Sequence, residues 1–278
     1  MIIDAHHHLW QIHRGVYDWI TEDLDKIRRD YFPRDLLPHL QRTGVQKTVL
    51  VQASESITEN AFLLDQTQAG DFIGAIVGWV DLTQPNIDET LDELSKIDLV
   101  KGIRPVLQGI EDTDWILRPE VIDVLRHAAE IGLKFDALIT PRHLDAIDQL
   151  AKVIPELPIV VDHAAKPVIG LDKPFQTEWA EGMARLAKHP QLHAKISGLA
   201  TEFGTGWNAE NLAPTVATLL ENYGPSRLMW GSDWPVLELE GTYEEWFACV
   251  QSLIADLPDS EKSDILGATA QRFYGITA

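Results

Sequence analysis

The chain has one cysteine, Cys249, among 278 residues, so no disulfide can form within it. Cys249 falls in Glu244-Glu245-Trp246-Phe247-Ala248-Cys249-Val250, which reads as a helix, and a buried structural thiol is expected there rather than a nucleophile. Long apolar runs are also missing. None approaches the ~18 residues of a membrane span, and the opening Met1-Ile2-Ile3-Asp4 has neither the basic nor the apolar region of a secretory leader. These absences make the cytosol the expected compartment. Positive charge is scarce: 23 Lys and Arg stand against 43 Asp and Glu, for a formal net charge of −20. So acidic a surface repels phosphate backbones, which excludes nucleic acid as an expected partner, and it favours solubility. No Walker motif occurs, and Asp4-Ala5-His6-His7-His8 stands where a Gly-rich phosphate turn would follow the first apolar run. Without a Gly-x-Ser-x-Gly elbow, Ser197 is a poor nucleophile candidate and is left as a hydrogen-bonding residue.

What is present is ordinary globular material. Apolar residues are 45% and charged residues 24%, which excludes disorder. A chain this long buries about three quarters of its unfolded surface and needs no staple to fold. Short β-branched runs recur along it: Ile2-Ile3, 48–51, 73–80, 100–106, 133–139, 158–161, 192–196 and 227–230. Such runs suit strands buried on both faces, as in parallel sheets. Helical patterns lie between them, at 58–64 ending near Gly70, from Arg118 to Gly132, from Pro141 to before Pro155, and from Ala209 to Tyr223 ahead of Gly224-Pro225. Eight strands alternating with helices predict an α/β fold, a (β/α)8 TIM barrel, as a single domain over residues 1–278. The longest connections, 11–32 and 107–117, follow strands one and four. They therefore belong to the C-terminal face of the barrel, where long loops shape a pocket.

Candidate chemistry collects at the same face. Strand residues two apart share a side, so His6 and His8 are expected to point inward together with Asp4, and His7 outward. Two converging imidazoles can bind a divalent metal or polarise a carbonyl. His163 ends the sixth strand after Ile159-Val160-Val161-Asp162, and Lys166 lies on the loop just above it. Asp233, in Trp230-Gly231-Ser232-Asp233-Trp234-Pro235, ends the eighth strand and is a general-base candidate, with an N-cap on the following helix as its structural alternative. Arg104 ends the fourth strand, held extended by Pro105. An inward Arg is costly unless it is paired or binds an anion or hydroxyl groups. Of nine tryptophans, Trp10, Trp115, Trp207 and Trp234 follow strands one, four, seven and eight, where each could stack on a sugar ring or pack in the core.

An Asp-x-His-x-His on strand one, a His on strand six and an Asp on strand eight of an eight-stranded barrel resemble the amidohydrolase superfamily. Gly78-Trp79-Val80-Asp81-Leu82, Lys101-Gly102-Ile103-Arg104-Pro105, Asp114-Trp115-Ile116-Leu117-Arg118-Pro119, Val161-Asp162-His163-Ala164-Ala165-Lys166-Pro167, Lys195-Ile196-Ser197-Gly198-Leu199 and the Asp233 segment are similar to its sugar-lactonase branch. The resemblance implies a hydrolase that opens a small-molecule sugar lactone of the L-fucono-, L-rhamnono- or L-galactonolactone type to the aldonic acid. It also implies catalysis by Asp233, His6, His8 and His163, and substrate contacts from Arg104, Lys166 and the four loop tryptophans. Binuclear members place a bridging Lys or Glu at strand four and a His at strand five, whereas Arg104 and Ala137-Leu138-Ile139-Thr140 stand here. At most one divalent ion, zinc or manganese, is therefore implied on His6, His8, His163 and Asp233, and the resemblance leaves it dispensable, since a bare histidine cluster can also polarise a carbonyl. A pyrone-dicarboxylate lactonase and a metal-dependent non-oxidative decarboxylase are the alternatives within the superfamily.

Overall fold

A computed structural model describes residues 1–277. Among them eight strands form one sheet in sequential order: β1 Ile3–His7, β2 Lys47–Val51, β3 Ile73–Gly78, β4 Val100–Ile103, β5 Lys134–Ala137, β6 Ile159–Val161, β7 Leu192–Ile196 and β8 Leu228–Trp230. Each pairs in parallel with the next. The sheet closes just beyond β8, where the Asp233 amide donates to His6 O at 2.8 Å and the His8 amide to Trp234 O at 2.7 Å. Helices follow the strands, among them Pro33–Thr43, Thr58–Gln66, Ile87–Ser95, Pro119–Glu130, Leu144–Val153, Thr177–Leu186, Ala209–Tyr223 and Tyr243–Leu253. The fold is a (β/α)8 barrel.

Two apolar layers hold it together. One lies between strands and helices. The other fills the barrel, where Ile3, Ala5, Val49, Val51, Ala75, Val77, Val160 and Met229 meet Phe273, Tyr274 and Ile276 from the C-terminal helix Thr269–Tyr274 and the residues after it. That helix plugs the barrel floor. Cys249 is buried and unpaired on its helix.

One expectation about β1 fails. Asp4 does not face inward with His6 and His8. Ile3 and Ala5 occupy the interior, and the β1–β2 register shifts between Asp4 and His7. This irregularity inserts a residue into the alternation, so the inward set changes from odd to even positions along one strand. Asp4 points out instead, accepting from the Ser232 amide at 2.8 Å and from Tyr243 Oη at 2.9 Å. His7 also points out and pairs with Thr48 Oγ1 at 2.9 Å.

The fold has an acid liability that can be measured away from the barrel mouth. His193 on β7 packs its ring on Phe273, with centroids 4.8 Å apart. Burial, above all, lowers its pKa to about 4. The unfolded chain binds this proton near pH 6.5 and the folded one only near 4, so stability is lost as pH falls from about 6.5 towards 4. Urea unfolding at pH 7.5 and pH 5 is expected to show a smaller acid loss for His193→Gln than for the wild type. An equal loss in both would show that His193 does not contribute.

Candidate active site

The four strand-end residues singled out by their positions come together. Their atoms converge on one point: His6 Nε2 is 3.1 Å from His8 Nε2, and Asp233 Oδ1 is 3.7, 3.4 and 3.8 Å from the Nε2 atoms of His6, His8 and His163. All four side chains are buried. Each imidazole is fixed through its other nitrogen. His8 Nδ1 lies 2.8 Å from Val51 O. A carbonyl only accepts, so neutral His8 carries its proton on Nδ1 and offers a lone pair at Nε2. His163 Nδ1 pairs with Ser197 Oγ at 2.9 Å, and His6 Nδ1 lies 3.1 Å from Lys195 Nζ and 3.4 Å from Asp162 Oδ1.

Three of these residues, His6, His8 and Asp233, fit one divalent ion, with His163 beside them. Bonds of ~2.0–2.1 Å in a tetrahedral site place ligand atoms about 3.3 Å apart, close to the observed 3.1–3.8 Å. Anchoring each Nδ1 to the protein is what orients imidazole ligands. The lone pair on His8 suits a cation better than an oxyanion. A second potential group, His6, Asp162 and His163, shares His6 with the first and adjoins it.

Electrostatics set the protonation states. Burial lowers the pKa of His6 well below its usual value and that of His163 to about 4. Burial raises Asp233, but His163, the contact to His8 and His6 outweigh it and hold the carboxyl well below the usual carboxylate range. An ionised Asp233 carboxylate facing neutral His6 and His163 is the resulting state at neutral pH. The carboxylate of Asp233 faces the histidines, so it does not cap the turn Val236–Leu239 that follows.

The backbone is strained where the site is built. His163, Ala164, Ala165 and Lys166 all have φ between 51° and 60°, and Asp233 has 58°. Left-handed residues other than glycine cost roughly 1–2 kcal/mol each and persist when their surroundings over-determine them. Trp179 Nε1 donates to Ala164 O at 2.7 Å, and the Lys166 amide to His163 O at 2.8 Å. Gly198 supplies the space, since a Cβ there would stand 2.6 Å from His163 Nδ1, at a φ of +66°. Gly198→Ala is expected to cost about 1–3 kcal/mol of stability and to lower kcat roughly tenfold by displacing His163. Unchanged melting and turnover would show that the ring has room to give.

Above the cluster lies a cavity of about 460 Å³, lined by His8, His163 and Asp233, by Arg104 and Lys166, by residues 52–56 after β2, and by Gly15, Val16, Asp18 and Trp19 of the first long connection. Arg104 points inward as expected, and the protein itself engages it. Its Nη2 donates to Gln52 O, its Nη1 lies 3.2 Å from Asp162 Oδ2 and 3.4 Å from His6 Nε2, and Gln52 Nε2 donates to Arg104 O at 2.9 Å. Lys166 Nζ lies 3.3 Å from Glu202 Oε1. The four loop tryptophans are not on the cavity wall. Trp10 and Trp234 are fully buried around Tyr31, Trp207 packs on Trp246 with its Nε1 donating to Glu240 O, and Trp115 packs against the core. These large rings gain more from the apolar layer than from the cavity. Trp19 lines the cavity instead.

Sequence reading also missed a buried charge network beneath the site. Lys195 Nζ lies 2.6 Å from Asp136 Oδ2 and 2.9 Å from Asp162 Oδ1, and Tyr274 Oη donates to Asp136 Oδ2 at 2.7 Å. A lysine and an aspartate in the middle of apolar strand runs, at 195 and 136, were the signal available.

Known proteins bear on this arrangement. The sequence profile of the family described as amidohydrolase matches residues 3–276. An L-fucono-1,5-lactonase of Burkholderia ambifaria is 41% identical, over 99% of this chain and 95% of its own length. An L-fucono-1,5-lactonase of Burkholderia multivorans is 32% identical over 99% and 96%. The crystal structure of an amidohydrolase from Burkholderia multivorans with bound zinc superposes over all of both chains, with a TM-score of 0.94 and 29% identity.

Proposed function

The chain belongs to the amidohydrolase family, and on that premise we propose that it hydrolyses the lactone of a six-carbon aldonic or deoxyaldonic acid, with Asp233 as general base. The observation that carries the reading is the ionised Asp233 held among three imidazoles on the wall of a cavity of a size suited to a small ring. The lactonase relatives support the substrate class.

A lactone is a cyclic ester, so its opening needs an activated water and a stabiliser for charge on the carbonyl oxygen. The contacts of Asp233 to the imidazoles run through Oδ1, which supports Oδ2 as the oxygen that takes the proton from water. The same carboxyl then returns that proton to the departing ring oxygen. A divalent cation held by His6, His8 and Asp233, with His163 beside it, would supply Lewis-acid polarisation of the carbonyl. Lys195 and Asp162 fix the ring of His6, Ser197 fixes that of His163, and the Val51 carbonyl fixes that of His8. Lys166 and Arg104 stand where hydroxyl groups of the substrate would reach.

A dicarboxylate substrate calls for basic groups without partners. Here Arg104 faces Asp162 and Lys166 faces Glu202, while Asp18 and Glu55 also line the cavity, which favours a neutral lactone. A pH-indicator screen of L-fucono-, L-rhamnono- and L-galactonolactones, with a pyrone dicarboxylate as control, tests the reading. Turnover of at least one sugar lactone and none of the control is expected. Turnover of the control alone would overturn the substrate class.

A further inference from the structure

The wall formed by residues 15–19 carries a large apolar surface that packing leaves uncovered. Trp19 lines the cavity and is 41% exposed, the highest exposure of any tryptophan among the described residues. Its indole N–H is already satisfied, donating to Ala53 O at 2.7 Å. One side of the ring packs against Trp10, with centroids 5.5 Å apart at 88°. What remains towards the cavity is aromatic surface with no polar demand.

The segment carrying this surface is held from beneath. Glu59, on the helix after β2, is fully buried. Its carboxylate accepts from Arg14, from Tyr17 Oη at 2.9 Å and from the Ala53 amide at 3.2 Å. Arg14 also lies over the ring of Phe62 at 4.3 Å and donates to Thr58 O at 3.0 Å. Ser54 Oγ donates to Val16 O at 2.6 Å. Withdrawing a carboxylate and a guanidinium from water is a costly way to hold a surface loop. It is consistent with a segment whose position matters. Glu59 thus ties the loop that carries Trp19 to Ala53 at the exit of β2.

We propose that Trp19 is the platform on which the C–H face of the substrate ring stacks, and that Glu59 is the positioning residue that fixes it over the Asp233 cluster. The inference rests on the lactone reading. A flat, electron-rich face opposes the polarised C–H bonds of a sugar ring, while Asp18, Glu55 and the hydroxyls of Ser54 and Ser56 on the same wall can meet the hydroxyls at its rim. Trp19 thus binds substrate and transition state alike and acts on KM rather than on kcat.

The test combines steady-state kinetics on the best aldonolactone with binding of 1,5-anhydrohexitols, neutral rings that cannot be hydrolysed, followed by tryptophan fluorescence. Trp19→Ala is expected to raise KM about tenfold with kcat within about twofold, and Trp19→Phe to restore most of the affinity. The fluorescence change on anhydrohexitol binding should vanish in Trp19→Phe. Tyr17→Phe, which removes one bond to Glu59 and keeps the ring, should raise KM about threefold at unchanged kcat, and Glu59→Gln further. A wild-type KM in Trp19→Ala would overturn the platform. Lower melting temperatures for Tyr17→Phe and Glu59→Gln with unchanged KM would overturn the positioning role. Trp19-dependent binding of anhydrohexitols by a protein that opens no lactone would support the platform and refute the lactonase reading alone.

Discussion

Asp233→Asn is expected to lower kcat for lactone opening about 100-fold or more while the barrel stays folded, the usual scale for losing general-base help. The substitution keeps the size of the side chain and one oxygen towards the imidazoles. It removes the basic oxygen and the negative charge that the buried histidines face. The main-chain bond from residue 233 to His6 O is untouched, so circular dichroism and melting should change little. Metal content separates two contributions. Turnover that falls with bound zinc unchanged assigns the loss to proton transfer, and parallel loss of both assigns part of it to ligation. Near-wild-type turnover in a folded variant would sink the assigned role.

Lys195→Met is expected to destabilise the fold by about 3–5 kcal/mol, the scale of breaking a buried ion pair from one side. Lys195, Asp136 and Asp162 are all fully buried. Burial raises Asp162, but the charge of Lys195, followed by His6 and Arg104, holds its carboxyl well below the usual range. Burial leaves Asp136 raised even beside Lys195. Methionine would fill most of the space and remove the charge on which both carboxylates depend. Adding Asp136→Asn removes one uncompensated charge, and the double variant should regain part of the loss. Urea titrations of the three proteins decide it. A single variant within 1 kcal/mol of wild type would show that the carboxylates simply take up protons at little cost. Because Lys195 also touches His6 Nδ1, the single variant should lose activity as well.

Much of the barrel was legible because its signals are local. The helix Ala209–Tyr223 ends where Gly224-Pro225 forbids continuation, and the uninterrupted apolar runs marked strands buried on both faces. The positions of His6, His8, His163 and Asp233 at strand ends followed from the same pattern. What escaped depends on partners far along the chain. The inward face of Asp4 was inferred from strict alternation, and the β1–β2 register shift breaks that alternation without a glycine or proline to mark it. The left-handed turn from His163 to Lys166 carries alanines where glycine would have been the clue. The choice among tryptophans depends on which rings the loop packing covers, and Trp19 is left uncovered on a segment that Glu59 holds from beneath. The pairing of Lys195 carries no such local signal, because its two aspartates lie 33 and 59 positions away.

The seam that closes the barrel has a consequence for how activity is acquired. The Asp233 amide bonds to His6 O, and the Ser232 amide to Asp4 Oδ1 across 228 positions of sequence. Contacts of such separation form late, because most of the intervening chain must be ordered before the ends can meet. The base and its histidines are thus brought together by the joining of first and last strands. In refolding from urea, helical signal should return ahead of turnover, and the lag between them is the time the chain takes to find its own beginning.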